Sequence, residues 1–346
     1  MSVTEGGKRK IGKTATEGMA RMVRVISLGS GSSGNALLAQ AGQTTVLVDA
    51  GFTARTLVSR LRQVGVAPGA INAIFLTHEH SDHASGAVAF ARQYGAALIA
   101  DRRTLAAVFT QARNARPYDA DLAGATLWST NSTNSTNSTN GADATTNGAQ
   151  SDVTTTAASA ADEKRIERVE IAVGATTRIG SLEVRSFAVS HDAVAPCGYL
   201  LGTAAWRVCF VTDTGEITPP ILEAMRAAHL LVVEANHDRA RLLSGPYPLH
   251  LKRRILSATG HLSNEQTGQA LGQTLDDTPR WVWLSHLSRT NNTPDLARAQ
   301  VREYLRTLGL GQVAPQIAPP GVGPTWDSAS LLAPTPIGAA APTLRA

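Results

Sequence analysis

Short apolar runs, each closed by a polar residue or a turn, recur along most of the chain. "MVRVISL", "NALLAQA", "TTVLVDAG", "AIFLTH" and "AALIAD" come first; "VRSFAVSH", "CGYLLG", "WRVCFVTDTG", "LLVVEANHD" and "WVWLSHLS" follow later. Their length and their content of Val, Ile and Leu predict β-strands. Between them, helices are expected over Ala54–Val64, Ser85–Tyr94, Pro219–Ala228 and Glu265–Thr274. Two sets of strands with helices between them predict stacked sheets flanked by helices.

Composition interrupts this pattern in three places. Residues 1–21 are polar and basic and are expected to be a disordered N-terminal extension. Residues 129–162, "STNSTNSTNSTNGADATTNGAQSDVTTTAASAAD", offer too little apolar surface to offset ordering entropy and read as a low-complexity disordered insert. Residues 315–346 carry seven prolines and are expected to trail as a disordered tail. One structured domain, 22–314, remains. Two cysteines, Cys197 and Cys209, are too few for a disulfide scaffold and are expected in the core. No apolar stretch approaches the roughly 20 residues of a membrane span, and the N-terminus lacks the apolar centre of a secretory signal. The expectation is a cytoplasmic protein with no membrane partner. A net charge of +5 suits a polyanionic partner without requiring one.

Gly29, Gly31 and Gly34 spell G-x-G-x-x-G behind the first strand, and Asp49 stands 20 positions after Gly29. A dinucleotide-binding unit needs a helix of about 10 to 12 residues between such glycines and the acid. Only "NALLAQAGQ" follows Gly34, and its Gly-Gln turn suits a hairpin. A nucleotide cofactor is therefore not expected here.

The chemistry lies in "LTHEHSDHASG", where His78, His80, Asp82 and His83 give H-x-H-x-D-H at the end of an apolar run. Imidazole nitrogen and carboxylate oxygen are ligands of divalent metals. In an extended segment His78 and His80 can face one ion, while a bend after Ser81 turns Asp82 and His83 toward a second. Asp49, His191, Asp213 and His286 each follow a β-rich run, where sheets commonly present functional groups.

These residues resemble the metallo-β-lactamase superfamily, and "SGSSGN", "VDAG", "THEHSDH", "SHDAVAPCGY", "TDTG", "EANHDRARLLSGPYPLHLKRRILSATGHLSNE" and "LSHLSRTNNTPDLA" look like its YycJ/WalJ-like branch. The resemblance implies an α/β fold, an αββα sandwich of two mixed sheets flanked by helices. It implies that His78, His80 and His191 hold one metal ion, that Asp82, His83 and His286 hold a second, and that Asp213 bridges the two. Asp49 would orient the histidines of the loop. The cofactors would be two divalent ions, Zn2+ or Mn2+, sharing a hydroxide that serves as nucleophile. Asp82 and Asp213 would thus take part in catalysis as well as in metal binding.

Substrate class rests on the stretch after His237. Arg239, Arg241, Lys252, Arg253 and Arg254 stand there against one acid, Asp238. Such a loop can track a phosphate backbone through Lys252, Arg253 and Arg254 and stack Tyr247 on a base. Together with the 5′ to 3′ exonuclease action on DNA that the branch implies, this favours a nuclease, with DNA preferred to RNA. A small-molecule hydrolase acting on a thioester, lactone or cyclic phosphodiester is the alternative, and a metal-filled binding module without turnover a third reading. Asn236 and His237 are expected to line the mouth of the site. His261 precedes a capping box, Ser263 with Gln266, and is a candidate proton donor, phosphate ligand or structural group. His229 reads as a structural histidine.

Overall fold

A computed structural model describes residues 22–114, 166–276 and 280–331. The expected N-terminal extension and the low-complexity insert lie outside the described residues. The strands are β1 (Arg24–Gly29), β2 (Ala36–Ala41), β3 (Thr44–Val48), β4 (Ala73–Phe75), β5 (Ala97–Ala100), β6 (Arg168–Glu170), β7 (Thr176–Ile179), β8 (Leu182–Ala188), β9 (Cys197–Gly202), β10 (Arg207–Val211), β11 (Leu230–Glu234), β12 (Trp281–Ser285), β13 (Gln316–Ile317) and β14 (Thr325–Asp327). The helices are α1 (Ala54–Gln63), α2 (Ser81–Ala84), α3 (Ala87–Tyr94), α4 (Arg102–Asn114), α5 (Pro219–Arg226), α6 (Arg239–Ser244), α7 (Leu249–Ile255), α8 (Asn264–Thr274), α9 (Pro294–Thr307) and α10 (Ser328–Leu331).

Two seven-stranded sheets form, in the orders β14-β1-β2-β3-β4-β5-β6 and β13-β12-β11-β10-β9-β8-β7. Each begins with three antiparallel pairings at one end and finishes with three parallel ones. Strand alternation divides the core into three layers. Val46 and Val48 of β3, Phe75 of β4, Val232 of β11 and Trp283 of β12 meet between the sheets. Leu47 and Ile74 pack outward against Leu57, Phe90 and Leu105 of α1, α3 and α4. Leu231, Val233 and Leu284 pack outward against Met225, Leu271 and Val301 of α5, α8 and α9. Strands covered on both faces need no polar side, so they read as continuous apolar runs. This is the αββα sandwich expected from the sequence.

The glycine-rich segment behind β1 is a hairpin connection, with β1 and β2 antiparallel, and not the opening of a nucleotide-binding helix. A Cβ at Gly51 would overlap the backbone carbonyl of Asp82, so glycine lets the turn after β3 press against the H-x-H-x-D-H loop.

The expected C-terminal tail is corrected over its first part. β13 pairs in parallel with β12, and β14 pairs antiparallel with β1, placing Trp326 opposite Val25. Trp326 is only 4% exposed and joins the core between the sheets. Prolines cannot donate within a ladder, but their carbonyls accept. Pro319 O receives Ser30 N–H at 2.9 Å and Pro324 O receives Ser27 N–H at 3.2 Å. Proline at a sheet edge is a device of folded chains as well as of tails. Among the described residues no helix is long and apolar enough to cross a membrane.

Candidate metal centre

Parallel strands of both sheets end at one edge of the sandwich, and the residues just beyond those ends build the site. Asp49 follows β3, Asp213 lies two residues beyond β10, and His286 follows β12. Their φ angles are 63°, 55° and 53°, and they are the only non-glycine residues with positive φ among the described ones. A left-handed backbone at such residues is uncommon and costs about 1–3 kcal/mol each, tolerated where surrounding contacts enforce it. For Asp49 and His286 such contacts are identifiable. Asp49 accepts from Thr77 N–H at 2.9 Å, and His286 N–H donates to Ser30 Oγ at 2.8 Å.

The structure brings together all seven residues expected as ligands. Donor atoms of His78, His80 and His191 lie within 4.8 Å of one another, as do those of Asp82, His83 and His286. Asp213 stands between the groups. It shares a third cluster with His78 and His83, and its Oδ2 lies 3.0 Å from His83 Nε2.

Hydrogen bonds on the far side of four of the five rings, those of His78, His83, His191 and His286, fix which nitrogen faces the cavity. His191 Nδ1 lies 3.1 Å from the Thr259 carbonyl, which can only accept, so Nδ1 carries the proton and Nε2 offers a lone pair. By the same argument His83 Nδ1 donates to Asp49 at 2.7 Å, and His286 Nδ1 donates to Glu234 Oε1 at 3.0 Å. His78 Nδ1 is 3.0 Å from Thr77 Oγ1, whose own proton is directed to Asp49, and its buried Nε2 has no partner. A buried lone pair with nothing to accept from is the mark of a cation site.

The charges agree. Burial would lower the basicity of His286, but Asp213, Asp82 and Glu234 outweigh it and hold the ring at a pKa of about 10. His83 is likewise raised well above the ordinary range against its burial, first by Asp213 and then by Asp82 and Asp49. Asp82 and Asp213 are held well below the carboxylate range by their histidines despite burial. Without a metal, protons on His83 and His286 supply the positive charge that these carboxylates require. His78 lies in the opposite direction, lowered by burial and by His83, so it remains a bare imidazole.

A family model described as the metallo-beta-lactamase superfamily matches residues 29–224, more than half of the chain. The chain belongs to the metallo-β-lactamase superfamily. Metallo-β-lactamase folds carry divalent metal ions, and the His/Asp clusters above suit that chemistry. Among relatives, the exodeoxyribonuclease WalJ of Streptococcus pneumoniae serotype 2 (strain D39 / NCTC 7466) is 33% identical over 284 residues, covering 82% of this chain and 88% of that one. The exodeoxyribonuclease YycJ of Bacillus anthracis is 31% identical over 284 residues, covering 82% and 89%. Among solved structures, the metallo-β-lactamase fold protein YhfI from Bacillus subtilis aligns with a TM-score of 0.57 at 16% identity, covering 88% of this chain and 99% of that one. The short form of human tRNase Z aligns at 0.52 and 14% identity, covering 88% and 98%. These two likenesses show the superfamily fold.

Within this metallo-β-lactamase site the sequence reading missed several supports. Glu234, at the end of β11, is fully buried. Its Oε1 receives His261 Nδ1 at 2.7 Å and His286 Nδ1 at 3.0 Å; its Oε2 receives Thr214 N–H at 3.1 Å and Leu262 N–H at 3.3 Å. Its place after "LLVV" is the same strand-end signal that picked out Asp213 and His286. Asn35, the last residue of "SGSSGN", donates from Nδ2 and from its backbone N–H to the Asp82 carbonyl at 3.2 and 2.8 Å. The glycine-rich segment is thus a brace for the H-x-H-x-D-H loop.

The candidate substrate residues divide. The capping box of Ser263 and Gln266 forms, but Glu234, rather than the helix amides, fixes His261. The His261 side chain stays 20% exposed. Glu234 outweighs burial to raise its pKa. Asn236 and His237 do not line the mouth, which corrects the expectation. Asn236 is 7% exposed and its amide donates to the His286 carbonyl at 3.0 Å, while His237 is fully enclosed where β11 turns beneath Ser263. Strand-end placement put both near the site but could not tell which side each would face. Lys252 donates to the Leu243 carbonyl at 2.7 Å, joining α7 to α6. Arg254 is paired with Asp192, and Arg253 stands exposed. Tyr247 is half-buried in the loop between α6 and α7. His229 is structural as expected, its Nδ1 accepting Arg207 N–H at 3.1 Å. Both cysteines are buried, and burial pushes the Cys197 thiol up to about 12.

Proposed function

We propose that the chain is a two-metal phosphodiesterase of the cytoplasm, a 5′ to 3′ exonuclease acting on DNA, with Zn2+ or Mn2+ in its centre. His78, His80 and His191 would hold one ion and Asp82, His83 and His286 the other, with Asp213 standing between the two groups. The observation that carries this reading is the pair of donor triads joined through Asp213 with His78 Nε2 left unpartnered. Relatives named exodeoxyribonucleases, matched over most of both chains, support the choice of DNA. Two free, buried cysteines suit a reducing compartment.

When bound, the two ions supply an activated water and stabilise the charge that builds on the phosphoryl oxygens. The chain supplies the rest. Asp49 and Glu234 hold His83 and His286 in the tautomers that ligate. Glu234 also favours the proton on His261, and the exposed edge of that ring delivers it to the leaving oxygen. The α6–α7 arm, with Tyr247, Lys252, Arg253 and Arg254, guides the nucleic acid.

The test is turnover of end-labelled single- and double-stranded DNA and RNA by metal-reconstituted protein, beside ester and thioester substrates. Processive loss of nucleotides from the 5′ end of DNA is expected. Asp213→Ala should abolish turnover while DNA still binds. Hydrolysis of the small esters with intact DNA would overturn the reading in favour of a small-molecule hydrolase.

A further inference from the structure

Asp192 is adjacent to His191 and belongs to neither triad. Its Oδ1 lies 3.4 Å from His191 Nε2, the edge of that ring that faces the metal cluster. Its Oδ2 accepts from Arg254 Nε at 2.6 Å. One carboxylate therefore spans from a basic residue of the α7 arm to the edge of the site. Arginine donates to carboxylate and phosphate oxygens alike, so a phosphate oxygen can take the place of Asp192 Oδ2 on Arg254 Nε.

The surroundings hold this pair in place. The turn after α7 is fixed to the site, since the carbonyls of Thr259 and Gly260 both face His191 Nδ1, at 3.1 and 3.3 Å. Arg254 thus lies in the helix that leads directly into this turn. Both partners remain reachable from solvent, with side-chain exposures of 48% for Arg254 and 34% for Asp192. On the other side, Glu79 accepts Val194 N–H at 3.0 Å, tying the loop that carries Asp192 to the H-x-H-x-D-H segment.

We propose that Asp192 is a built-in substitute for a substrate phosphate, which holds Arg254 at the mouth of the site and yields it to a backbone phosphate of the incoming nucleic acid. The exchange sets specificity. Any ligand must compete with Asp192 for Arg254, and only one that brings its own anion to that position recovers the lost pair. A neutral or singly anchored ligand leaves the Asp192–Arg254 pair closed. This inference rests on the nuclease reading and adds to it a residue that opposes binding.

The experiment uses the full chain, stripped of metal so that no cleavage occurs, and follows the anisotropy of short fluorescent single-stranded and duplex DNA. The variants are Asp192→Asn, Arg254→Gln and their combination. An exposed ion pair is worth little in water, so Asp192→Asn should tighten binding by about two- to fivefold. A gain of this kind cannot come from a damaged fold. Arg254→Gln should weaken binding and flatten the dependence of log K on log salt by about 0.9 on duplex DNA. In the Arg254→Gln background, Asp192→Asn should have no further effect. With metal restored, Asp192→Asn should lower KM for DNA in the same proportion. Unchanged or weaker binding by Asp192→Asn overturns the proposal, and so does an equal gain in both backgrounds, which would show general repulsion by the carboxylate. In either case weakening by Arg254→Gln would leave the nuclease reading standing. A parent chain that neither binds nor cleaves DNA would remove the nuclease reading and this inference together.

Discussion

Glu234→Gln separates the chemistry of this site from its shape. The carboxylate accepts four N–H groups, two from imidazoles and two from the backbone. An amide of the same volume offers only one oxygen. If that oxygen faces His261 and His286, the NH2 group meets Thr214 N–H and Leu262 N–H, and two buried donors lose their acceptor. At about 1–3 kcal/mol for each, the fold loses about 2–6 kcal/mol. If the amide turns round, the imidazoles must move their protons to Nε2. His286 would then present N–H toward Asp82 Oδ2, now 3.3 Å away, and could no longer ligate. In either orientation His261 loses the anion that favours its proton, and a positioned acid is worth about 10²–10⁴ in rate. We expect turnover of 5′-labelled DNA to fall by at least about 10²-fold, with either a lower denaturation midpoint or lost metal. Turnover, bound metal and the unfolding midpoint should be measured on the same preparation. A variant matching the parent in all three would refute the assignment of Glu234.

His80→Ala should lose at least one ion by elemental analysis while retaining its circular dichroism; unchanged metal content would remove His80 from the ligand set. Metal binding near pH 8 should release protons, since a pKa of about 10 keeps the His286 ring charged in the metal-free protein and that of His83 is raised in the same direction. The sign follows: affinity falls as pH falls, and calorimetric heats should vary with the ionisation enthalpy of the buffer, whereas buffer-independent heats would contradict it. Trp326→Ala should destabilise the fold by about 3–5 kcal/mol, and ending the chain after residue 314 should cost more by removing β13 and β14. A truncated chain with the parent's denaturant midpoint would show that the last strands contribute nothing.

The positions of most strands and of the candidate metal-binding residues are legible because both are written locally. An apolar run closed by a polar residue marks a strand end, and His78, His80, Asp82 and His83 lie within six residues. The helix Asn264–Thr274 was announced by its capping box. Other features depend on partners distant in the chain. Nothing local shows that Glu234 will meet His261 and His286, or that Asp192 will meet Arg254, 62 residues away. β6 and β7 are short edge strands with polar residues, "RVE" and "TTRI", which resemble turns. The helix Arg102–Asn114 buries Leu105, Val108 and Phe109 at helical spacing, a signal carried by the sequence alone. β14 escaped because four prolines between 315 and 324 imitate a tail, and only its pairing with β1 reveals a strand.

The two triads draw on widely separated stretches of chain, from His78 in the first sheet's half to His286 near the end of the second. During synthesis the loop with H-x-H-x-D-H emerges early, yet no fragment ending before residue 286 contains the whole second triad. β14 arrives later still and pairs with β1, the first strand among the described residues. A chain that ends before residue 286 therefore lacks a member of the second triad, and one that ends before β14 lacks the edge strand paired with β1. The donor groups are thus complete only once His286 has been made, so the topology withholds the assembled site until most of the chain exists.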